Sequence, residues 1–315
     1  MGKQIVVVGS INLDLVAASD RIPIAGETVA GLTFRTFPGG KGANQAVAAA
    51  RLGGAVSIVG KLGADPFGLQ LRDSLEESNV NTGAVEVVAG SSGVALIVTD
   101  AVGQNAITVV AGANAHVSPA VLDDHIDLIR GAGILLTQLE IPLETVEYLA
   151  GIAAEERVPL MLDPAPARRL PMSLLKRVDW LTPNETETCV LAGLPPGEMN
   201  QESLKAAANV LLDSGCRNVI LKLGERGCYL ALADGTRQFL PPYTVRAVDT
   251  TAAGDAFNGA FAVALMNGKE PLECASWASA VAAISVTRHG AQTSMPTAEE
   301  VEAFLDDIQS AKSNR

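Results

Sequence analysis

The chain alternates between short apolar runs and longer stretches with helical periodicity. Apolar runs that end at glycine or polar residues are typical of buried strands, and they fall at Lys3–Ser10, Val56–Gly60, Ile134–Leu139, Pro159–Leu162, Trp180–Thr182 and Asn218–Gly224. The helical patterns are Ala43–Leu52, Pro66–Glu77, Pro119–Arg130, Leu143–Glu156 and Gln201–Ser214. Strands that alternate with helices predict a three-layer α/β/α fold with a mostly parallel central sheet. Ligands in such folds bind at the carboxyl ends of the strands.

Two stretches interrupt this alternation, at residues 14–37 and 93–110. The first alternates polar and apolar residues around Gly26 and Gly31, and the second reads as a hairpin, VALIVTD followed by NAITVV. No helix separates these strands, so we predict that they form a small second β-sheet, inserted as a lid into a single α/β domain that spans residues 1–315. The alternative is that they are edge strands of the main sheet.

Composition and charge narrow the class of partner. The chain has 315 residues, of which 48% are apolar, so it is long enough for one large core. Its formal net charge is −12, and a negative surface repels nucleic acid and anionic lipid. We therefore expect neither a nucleic-acid nor a membrane partner, and an anionic ligand would need a local site built from backbone N–H groups and a few cations.

The cysteines and histidines show no metal-site spacing. The four cysteines lack a CxxC pair and the three histidines are scattered, so we interpret the cysteines as thiols in a reducing compartment. No uncharged apolar run reaches ~18 residues and no signal peptide is evident. The sequence predicts a cytoplasmic protein.

The stretch VDTTAAGDAFNGA at residues 248–260 carries the strongest candidate chemistry. Apolar residues recur at helical spacing from Asp255 to Met266, which predicts a helix that begins near Ala253 or Gly254. The first N–H groups of a helix have no intrahelical partner, and small residues there let an anion approach them. Asp255 would lie beside that site as a general base. The alternative is that Asp255 only caps the helix.

A second glycine-rich stretch, PGGKGANQAVAAARLG, begins at Pro38. It resembles a phosphate loop, but the chain contains no GxxxxGK[ST] pattern. Glycines also allow the backbone to approach a polyol closely, and Lys41 and Asn44 can bond its hydroxyl groups. A glycine-rich turn without function is the alternative.

Polar residues follow several predicted strands. Asn12 and Asp14 point the same way if the chain stays extended, and such a pair suits the adjacent hydroxyls of a sugar, although an Asx turn is the alternative. Glu140 also follows a strand. In TPNETE, Asn184 and Glu187 could organise the water around Mg²⁺, or simply cap a helix.

Two further loops carry candidate ligands. The segment Lys222–Gly227 follows a strand, and its glycines could admit a nucleotide or form a hairpin turn. The polar loop RHGAQTS ends at Ser294. Its carbonyl groups and the Ser294 hydroxyl could bind a cation together with Asp249.

Taken in order, GSINLD, PGGKGANQAVAAARLG, TPNETE, DTTAAGDAFNGA and VTRHGAQTS resemble the PfkB family of carbohydrate kinases. The resemblance extends to about residue 305, and PGGKGANQ and AAGDAFNGA are its most specific segments. It implies a ribokinase-like fold, and within the family the chain is most similar to the enzymes that transfer the γ-phosphoryl group of ATP to the 5-hydroxyl of D-ribose.

The resemblance also implies a role for each candidate residue. Asp255 would be the base, and Ala252, Ala253 and Gly254 would form the anion hole. The residues that would bind the sugar are Asn12, Asp14, Gly40, Lys41, Gly42, Asn44, Glu140 and Asp255. Those that would bind the nucleotide are Asn184, Lys222, Gly224, Glu225, Gly227, Gly254 and Ser279.

Two metal ions and a partner copy are implied in the same way. Mg²⁺ would bridge the phosphates near Asn184 and Glu187, the latter through water. The positions that would bind K⁺ are Asp249, Thr251, Ser285, Arg288, Gly290 and Ser294. The lid of the family also mediates a homodimer.

The chain departs from the pattern of the family at three places. Many relatives have glycine at one of the positions of Ala252 and Ala253, and an extra methyl group there is tolerable if φ stays negative. Lys222 stands where threonine is more usual and Ser279 where histidine is often found, which bears on nucleotide preference. The alternatives to a ribose kinase are a kinase for deoxyribose or fructose and a catalytically silent sugar-binding regulator. The first strand–helix turn lacks GxGxxG, which argues against a dinucleotide oxidoreductase.

Overall fold

The computed structural model describes residues 4–313. In chain order the strands are β1 (Gln4–Val8), β2 (Asn12–Ser19), β3 (Gly31–Gly39), β4 (Val56–Gly63), β5 (Val80–Val88), β6 (Gly93–Thr99), β7 (Asn105–Val110), β8 (Ala132–Thr137), β9 (Leu160–Leu162), β10 (Trp180–Leu181), β11 (Asn218–Lys222), β12 (Cys228–Ala231) and β13 (Arg237–Leu240). The helices are α1 (Lys41–Arg51), α2 (Pro66–Glu77), α3 (Pro119–Asp124), α4 (Ile126–Arg130), α5 (Leu143–Glu156), α6 (Met172–Leu175), α7 (Glu185–Ala192), α8 (Gln201–Asp213), α9 (Ala253–Met266), α10 (Pro271–Ser285) and α11 (Ala298–Ser313). Short 3₁₀ turns occupy Gly112–His116, Gly224–Arg226 and Gln292–Ser294.

The central sheet has nine strands in the order β13-β12-β11-β10-β9-β8-β1-β4-β5. All neighbours are parallel except β11–β12 and β12–β13, which pair antiparallel. The chain leaves β1 toward β4 on one side and later returns to β8 on the other, so the strand order reverses at β1. A crevice at the carboxyl ends of the strands is expected at such a reversal.

Alternation along β1 divides the interior into two cores. Ile5 and Val7 pack into the core on one face of the sheet, and Val6 and Val8 pack into the core on the other face. Because successive strand residues point to opposite faces, a fully apolar strand can serve both cores. Helices α1, α2, α9, α10 and α11 cover the first face, and α3 to α8 cover the second.

A second sheet of four strands has the order β3-β2-β6-β7. β2 pairs antiparallel with β3 and parallel with β6, and β6 pairs antiparallel with β7. The strands come from the two stretches predicted at 14–37 and 93–110. This sheet leaves large apolar side chains exposed, among them Phe34 at 66% and Ile107 at 54%.

The main sequence predictions for the fold are confirmed. The central sheet is mostly parallel, a second small sheet is present, and the alternative that its strands are edges of the main sheet is wrong. The predicted helix Pro119–Arg130 is in fact two helices that break at His125. Strands β5, β12 and β13 were not predicted. Within residues 4–313, no helix is both long and apolar enough to cross a membrane.

Candidate active site

Five neighbouring strands place polar residues at the carboxyl ends of the strands of the central sheet. Ser10 follows β1, Glu140 follows β8, Asp163 follows β9 and Asn184 follows β10, while Lys222 ends β11. The amino ends of α1 and α9 face these strand ends, since Asn44 and Gln45 of α1 both donate to Asp255 of α9. The resulting cleft gathers most of the residues singled out in the sequence.

The amino end of α9 is open to an anion. Ala252 is its N-cap residue and has no polar side chain to cap it, and the N–H of Ala253 makes only a long bond of 3.3 Å to the carbonyl of Thr250. Ala252 is left-handed, with φ of 59°, so the condition of a negative φ, under which its methyl group would be readily tolerated, is not met. This conformation costs an L-residue about 1–2 kcal/mol, and it stands directly before the N–H groups of α9 that no side chain caps.

Asp255 is buried in the first turn of α9, 5% exposed. Its Oδ2 accepts a hydrogen bond of 3.0 Å from Nδ2 of Asn44, and its Oδ1 accepts one of 3.0 Å from Nε2 of Gln45. Burial raises the pKa of Asp255 and the charge of Asp163 raises it further, while Lys41 and the two amides oppose the shift. The group is therefore a stronger base than an exposed aspartate, yet both of its oxygens are held in place.

The amino end of α1 lies across the cleft from α9. Gly40, its N-cap residue, has φ of 85°, and a Cβ there would stand 2.6 Å from the backbone nitrogen of Asn12. The next N–H, of Lys41, donates to Oε2 of Glu140 at 3.2 Å. Burial lowers the pKa of the Lys41 ammonium, but Asp255 and the other surrounding carboxylates outweigh this and raise it. Lys41 is thus a permanent cation of the cleft.

The residues predicted to hold a sugar lie together. Asn12 and Asp14 sit two apart on β2, so they share a face, as the extended chain predicted. Oε2 of Glu140 accepts from the hydroxyl of Ser10 at 2.5 Å and from Nδ2 of Asn12 at 3.4 Å. Asn114, which the sequence analysis did not single out, donates to Oδ1 of Asn12 at 2.7 Å.

Asp14 has an unusual protonation equilibrium. Burial raises its pKa from 3.8 to about 7, and the nearby charges of Glu140 and Asp255 contribute, while Lys41 opposes them. The folded chain therefore holds a proton on Asp14 that the unfolded chain has already released between pH 4 and pH 7. Stability falls as the pH rises through this window, because the native state binds more protons there.

We expect Asp14→Asn to stabilise the protein, and more so at pH 8 than at pH 5. Because the group is partly open to solvent, the gain in free energy of unfolding at pH 8 should be ~2 kcal/mol. Chemical denaturation at both pH values measures it. Asp20→Asn, at an exposed position next to β2, is the control and should show no such difference. A gain that is larger at pH 5 would contradict the assigned protonation.

Asn184 and Glu187 form a reciprocal capping box at the start of α7. Oδ1 of Asn184 accepts from the N–H of Glu187 at 2.9 Å, and Oε2 of Glu187 accepts from the N–H of Asn184 at 2.7 Å. Asn184 and Glu187 therefore cap α7, which was one of the two roles that the sequence suggested for them. Glu187 is also 6% exposed, and burial and Asp163 raise its pKa while Lys222 opposes the shift, so its carboxylate lies near the charged residues of the site.

The segment after β11 borders an open cleft of about 460 Å³. Gly224 and Glu225 belong to a 3₁₀ turn, and Gly227 follows with φ of 92° before β12, which completes the hairpin. Ser279 lies in the middle of α10, where its hydroxyl donates to the carbonyl of Ala275 at 2.8 Å and comes within 3.8 Å of Sγ of Cys228. Among residues 4–313, the Ser279 hydroxyl makes no hydrogen bond to the other predicted nucleotide residues.

Asp249 connects the two loops predicted to bind a cation. Its Oδ1 accepts from the N–H of Thr251 and its Oδ2 from the N–H of Gly290, both at 2.9 Å. The hydroxyls of Ser285 and Ser294 are buried and donate to nearby carbonyls. The guanidinium group of Arg288 turns away to Glu300, so only the backbone of Arg288 can face this site. Among residues 4–313, no group of three acidic, histidine or cysteine side chains forms a metal cluster.

Sequence reasoning overlooked a buried polar network beneath Asp255. Nε2 of Gln45 donates at 3.0 Å to Oδ2 of Asp163 as well as to Asp255, and Oε1 of Gln45 accepts from Gln138 at 2.7 Å. Asp163 also pairs with Lys222 at 3.1 Å. The position of Asp163 directly after a predicted strand was the available signal, whereas nothing in the sequence separates Gln45 from its neighbours in α1.

A buried carboxylate beside an uncapped helix end, across from a polar pocket, has the parts that a phosphotransferase on an α/β scaffold needs. The model of the pfkB family of carbohydrate kinases matches residues 2–298. The chain belongs to this family, and it is a kinase that acts on a sugar hydroxyl.

Alignments with related kinases extend over nearly the whole chain. It is 41% identical over 304 residues to ribokinase from Bacillus subtilis, covering 96% of this chain and 99% of that protein. It is 38% identical to deoxyribokinase from Salmonella typhi, covering 96% and 98%. It also resembles the structure of Arabidopsis thaliana ribokinase complexed with ribose and ATP, with a TM-score of 0.91, 36% identity and coverage of 97% and 99%.

Proposed function

We propose that the protein transfers the γ-phosphoryl group of ATP to the 5-hydroxyl of D-ribose, with Asp255 as the general base. The observation that carries this proposal is the carboxylate of Asp255, held by two amides in the first turn of a helix whose amino end is open. The names of the relatives support ATP and ribose as ligands, since they include a ribokinase complexed with both.

In the transfer step, the 5-hydroxyl oxygen forms a bond to the γ-phosphorus while the bond from that phosphorus to the bridging oxygen of ADP breaks. The hydroxyl proton passes to Asp255. Its raised pKa strengthens it as an acceptor, and the N–H groups of Ala252, Ala253 and Gly254 stabilise the charge on the phosphoryl oxygens. No covalent enzyme intermediate is required, because phosphoryl transfer depends mainly on positioning and charge.

The pocket opposite α9 offers the hydrogen-bonding groups that a pentose needs. Asn12, Asp14 and Glu140 supply polar side chains on one wall. Oδ1 of Asn44 is buried and has no protein hydrogen-bond partner among the described residues, so it is free to accept a bond from a sugar hydroxyl. The N–H groups at the glycine-rich start of α1 lie next to these side chains and let the sugar approach closely.

The nucleotide is proposed to lie along the cleft at Asn184, Lys222 and Gly224 to Gly227, with Ser279 at its far side. Glu187 fits a role for Mg²⁺ through water, because enzymes that act on phosphates hold Mg²⁺ with one or two carboxylates and keep several waters. When bound, Mg²⁺ neutralises the phosphates. The lysine at position 222, where threonine is more usual in the family, adds a positive charge to this side of the site.

K⁺ is proposed to bind between the loops that Asp249 connects. The donors there are all oxygens, from the Asp249 carboxylate, the Thr251 and Ser294 hydroxyls and the backbone carbonyls of Ser285, Arg288 and Gly290, which suits a hard cation. When bound, the cation supplies a fixed positive charge beside the start of α9. Asp249 would act by holding the loop before Ala252 in the conformation that exposes its N–H groups.

Exchange of K⁺ for tetramethylammonium should lower kcat about tenfold, which corresponds to ~1.4 kcal/mol, because the methyl groups of the organic ion keep its charge away from oxygen ligands. Steady-state ATP consumption at equal ionic strength measures the change. Asp249→Asn should abolish the difference between the two ions. Equal rates of the wild type in both salts would exclude this site.

A deoxyribose kinase is the second candidate, and a 38% identical deoxyribokinase favours it. Asn12 and Asp14 share a face of β2 and suit two adjacent hydroxyls, which 2-deoxyribose lacks. This geometry favours ribose. A catalytically silent sugar-binding regulator is a weaker alternative, because Asp255 is present and held by two hydrogen bonds.

The decisive test is ATP consumption across ribose, 2-deoxyribose, fructose, xylose, arabinose and adenosine, with Mg²⁺ and with or without K⁺. We expect kcat/KM for ribose to exceed the others by at least tenfold. A higher value for another sugar would keep the chemistry of Asp255 but change the substrate, and no turnover of any sugar would favour the silent regulator.

The second sheet is proposed to act as a lid over the sugar. β2 carries Asn12 and Asp14 at one end and continues as an inner strand of this sheet, and β3 ends at Gly39, next to the start of α1. Sugar binding therefore acts directly on β2, an inner strand, and on β3, the edge strand beside it.

The thiols of all four cysteines are free and buried, which supports the proposal of a reducing, cytoplasmic location.

We propose that two copies associate through the same sheet. On one face it exposes Phe34, Leu96 and Val110 by 44–66%, and exposed apolar side chains that share a face of a sheet are unusual on a monomer surface. Phe34→Asp combined with Leu96→Asp should convert a dimer into a monomer of 32.5 kDa, as measured by light scattering after size-exclusion chromatography. Val210→Asp, on the exposed face of α8, is the control. A wild-type chain that is already monomeric would contradict the proposal.

A further inference from the structure

The ammonium group of Lys222 lies between two parts of the site. Its Nζ is 3.1 Å from Oδ1 of Asp163. A Cβ built on Gly254, the second residue of α9, would stand 3.2 Å from the same Nζ. The side chain of Lys222 is only 12% exposed, so a full positive charge is held next to the N–H groups at the start of α9.

Asp163 is connected to the base through a single amide group. Nε2 of Gln45 donates to Oδ2 of Asp163 and to Oδ1 of Asp255, each at 3.0 Å. A side-chain amide nitrogen has two hydrogens, so both are used. The carbonyl oxygen of Gln45 accepts from Gln138 at 2.7 Å, which fixes the amide orientation. Lys222, Asp163, Gln45 and Asp255 therefore form one continuous chain of contacts.

This arrangement is energetically demanding. Asp163 is 2% exposed, and burying a carboxylate is costly even when it is paired. Asp163 also places a negative charge near Asp255, whose pKa is raised first by burial and then by this charge. A neutral pair at positions 163 and 222 would avoid both costs, so stability alone does not account for the charged pair.

We propose that Lys222 contacts the transferred phosphoryl group at the start of α9, and that Asp163 holds Lys222 there and orients the carboxylate of Asp255 through Gln45. The proposal rests on the proposed kinase function and deepens it. Lys222 is then a catalytic residue and Asp163 a positioning residue. The helix end supplies partial positive charge, and Lys222 adds a whole charge at the same place.

Nucleotide binding tests the contact without sugar turnover. Titration calorimetry would compare Mg²⁺-AMP-PNP, a non-hydrolysable ATP analogue, with Mg²⁺-ADP, which lacks the γ-phosphoryl group. Lys222→Met should weaken AMP-PNP binding about tenfold and ADP binding much less, while Lys205→Met on the exposed face of α8 should change neither. Equal losses for both nucleotides, or no loss, would overturn the contact. This result is independent of which sugar the enzyme accepts.

A double-mutant cycle separates a phosphoryl contact from simple charge balance. Lys222→Met should lower kcat ~10²-fold, and Asp163→Asn should lower it about tenfold. Asp163→Asn should also move the acid limb of its kcat–pH profile to lower pH, because a negative charge near Asp255 is lost. Lys41 and Asp14 also lie close enough to Asp255 for their charges to act on it, and both residues are the same in every variant of the cycle. The double variant should remain as slow as Lys222→Met. Recovery of the double variant to the wild-type rate would show that Lys222 only neutralises Asp163.

A charge-retaining variant keeps the test informative if Lys222→Met fails to fold. Lys222→Arg preserves the positive charge and should retain the preference for AMP-PNP over ADP, with kcat within about tenfold of the wild type. Thermal unfolding of each variant confirms that it is folded. An arginine variant that is folded but has lost the preference for AMP-PNP would contradict the proposed contact.

Discussion

Asp255→Asn should lower kcat by ~10²–10⁴-fold while ribose still binds with a Kd within about tenfold of the wild type. An amide cannot accept the hydroxyl proton at neutral pH. It also presents an NH₂ group to one of the two amide donors, Asn44 or Gln45, which now hold the carboxylate at 3.0 Å. Steady-state kinetics gives kcat, and calorimetric titration of ribose gives the affinity.

A matched control for this variant exists in the same chain. Asp127 is a first-turn aspartate of α4 and is exposed, so Asp127→Asn removes a comparable charge from a helix start without touching the cleft. Its kcat should equal that of the wild type. Near-normal turnover in Asp255→Asn would remove Asp255 from the role of base, whatever sugar is preferred.

Gly40→Ala should have the second-largest effect, lowering kcat/KM for the sugar by ~10²-fold and the free energy of unfolding by roughly 2–4 kcal/mol. Gly40 has φ of 85°, and its added Cβ would stand 2.6 Å from the backbone nitrogen of Asn12. The substitution therefore strains the start of α1 and also pushes it away from β2, where Asn12 and Asp14 begin the pocket. Denaturant unfolding and initial rates measure the two effects.

Gly53 separates the two causes, since it has the same φ of 85° but nothing within 4 Å of the position of a Cβ. Gly53→Ala should lose only the strain, ~1–2 kcal/mol, and leave kcat/KM unchanged. If Gly40→Ala and Gly53→Ala had the same kcat/KM, the close contact between Gly40 and Asn12 would not contribute to sugar turnover.

The sequence predicted the parts of this molecule that depend on local pattern. Buried strands such as β1 and amphipathic helices such as α5 follow from periodicity, and the helix at Ala253 follows from small residues before an apolar run. The left-handed φ of Ala252 was not predictable, because alanine carries no local preference for it. The strands β12 and β13 were missed because each has only four residues, and so short a run shows little periodicity.

The pairing of distant residues was beyond the sequence as well. Gln45 contacts two aspartates more than a hundred positions away, and such contacts arise only when α1 and α9 pack together. Motif resemblance pointed to Asp255 and to the glycine-rich loop. It did not point to Asp163, whose importance depends on Lys222 at the end of a different strand.

The continuity of β2 from the sugar pocket into the second sheet has a thermodynamic consequence. If two copies associate through that sheet, sugar binding and self-association share one structural element. The factor by which ribose changes the dissociation constant of the dimer is then also the factor by which dimerisation changes the affinity for ribose. The ribose affinity, measured above and below the dissociation constant of the dimer, gives this factor, and with it the dependence of substrate binding on the concentration of the enzyme itself.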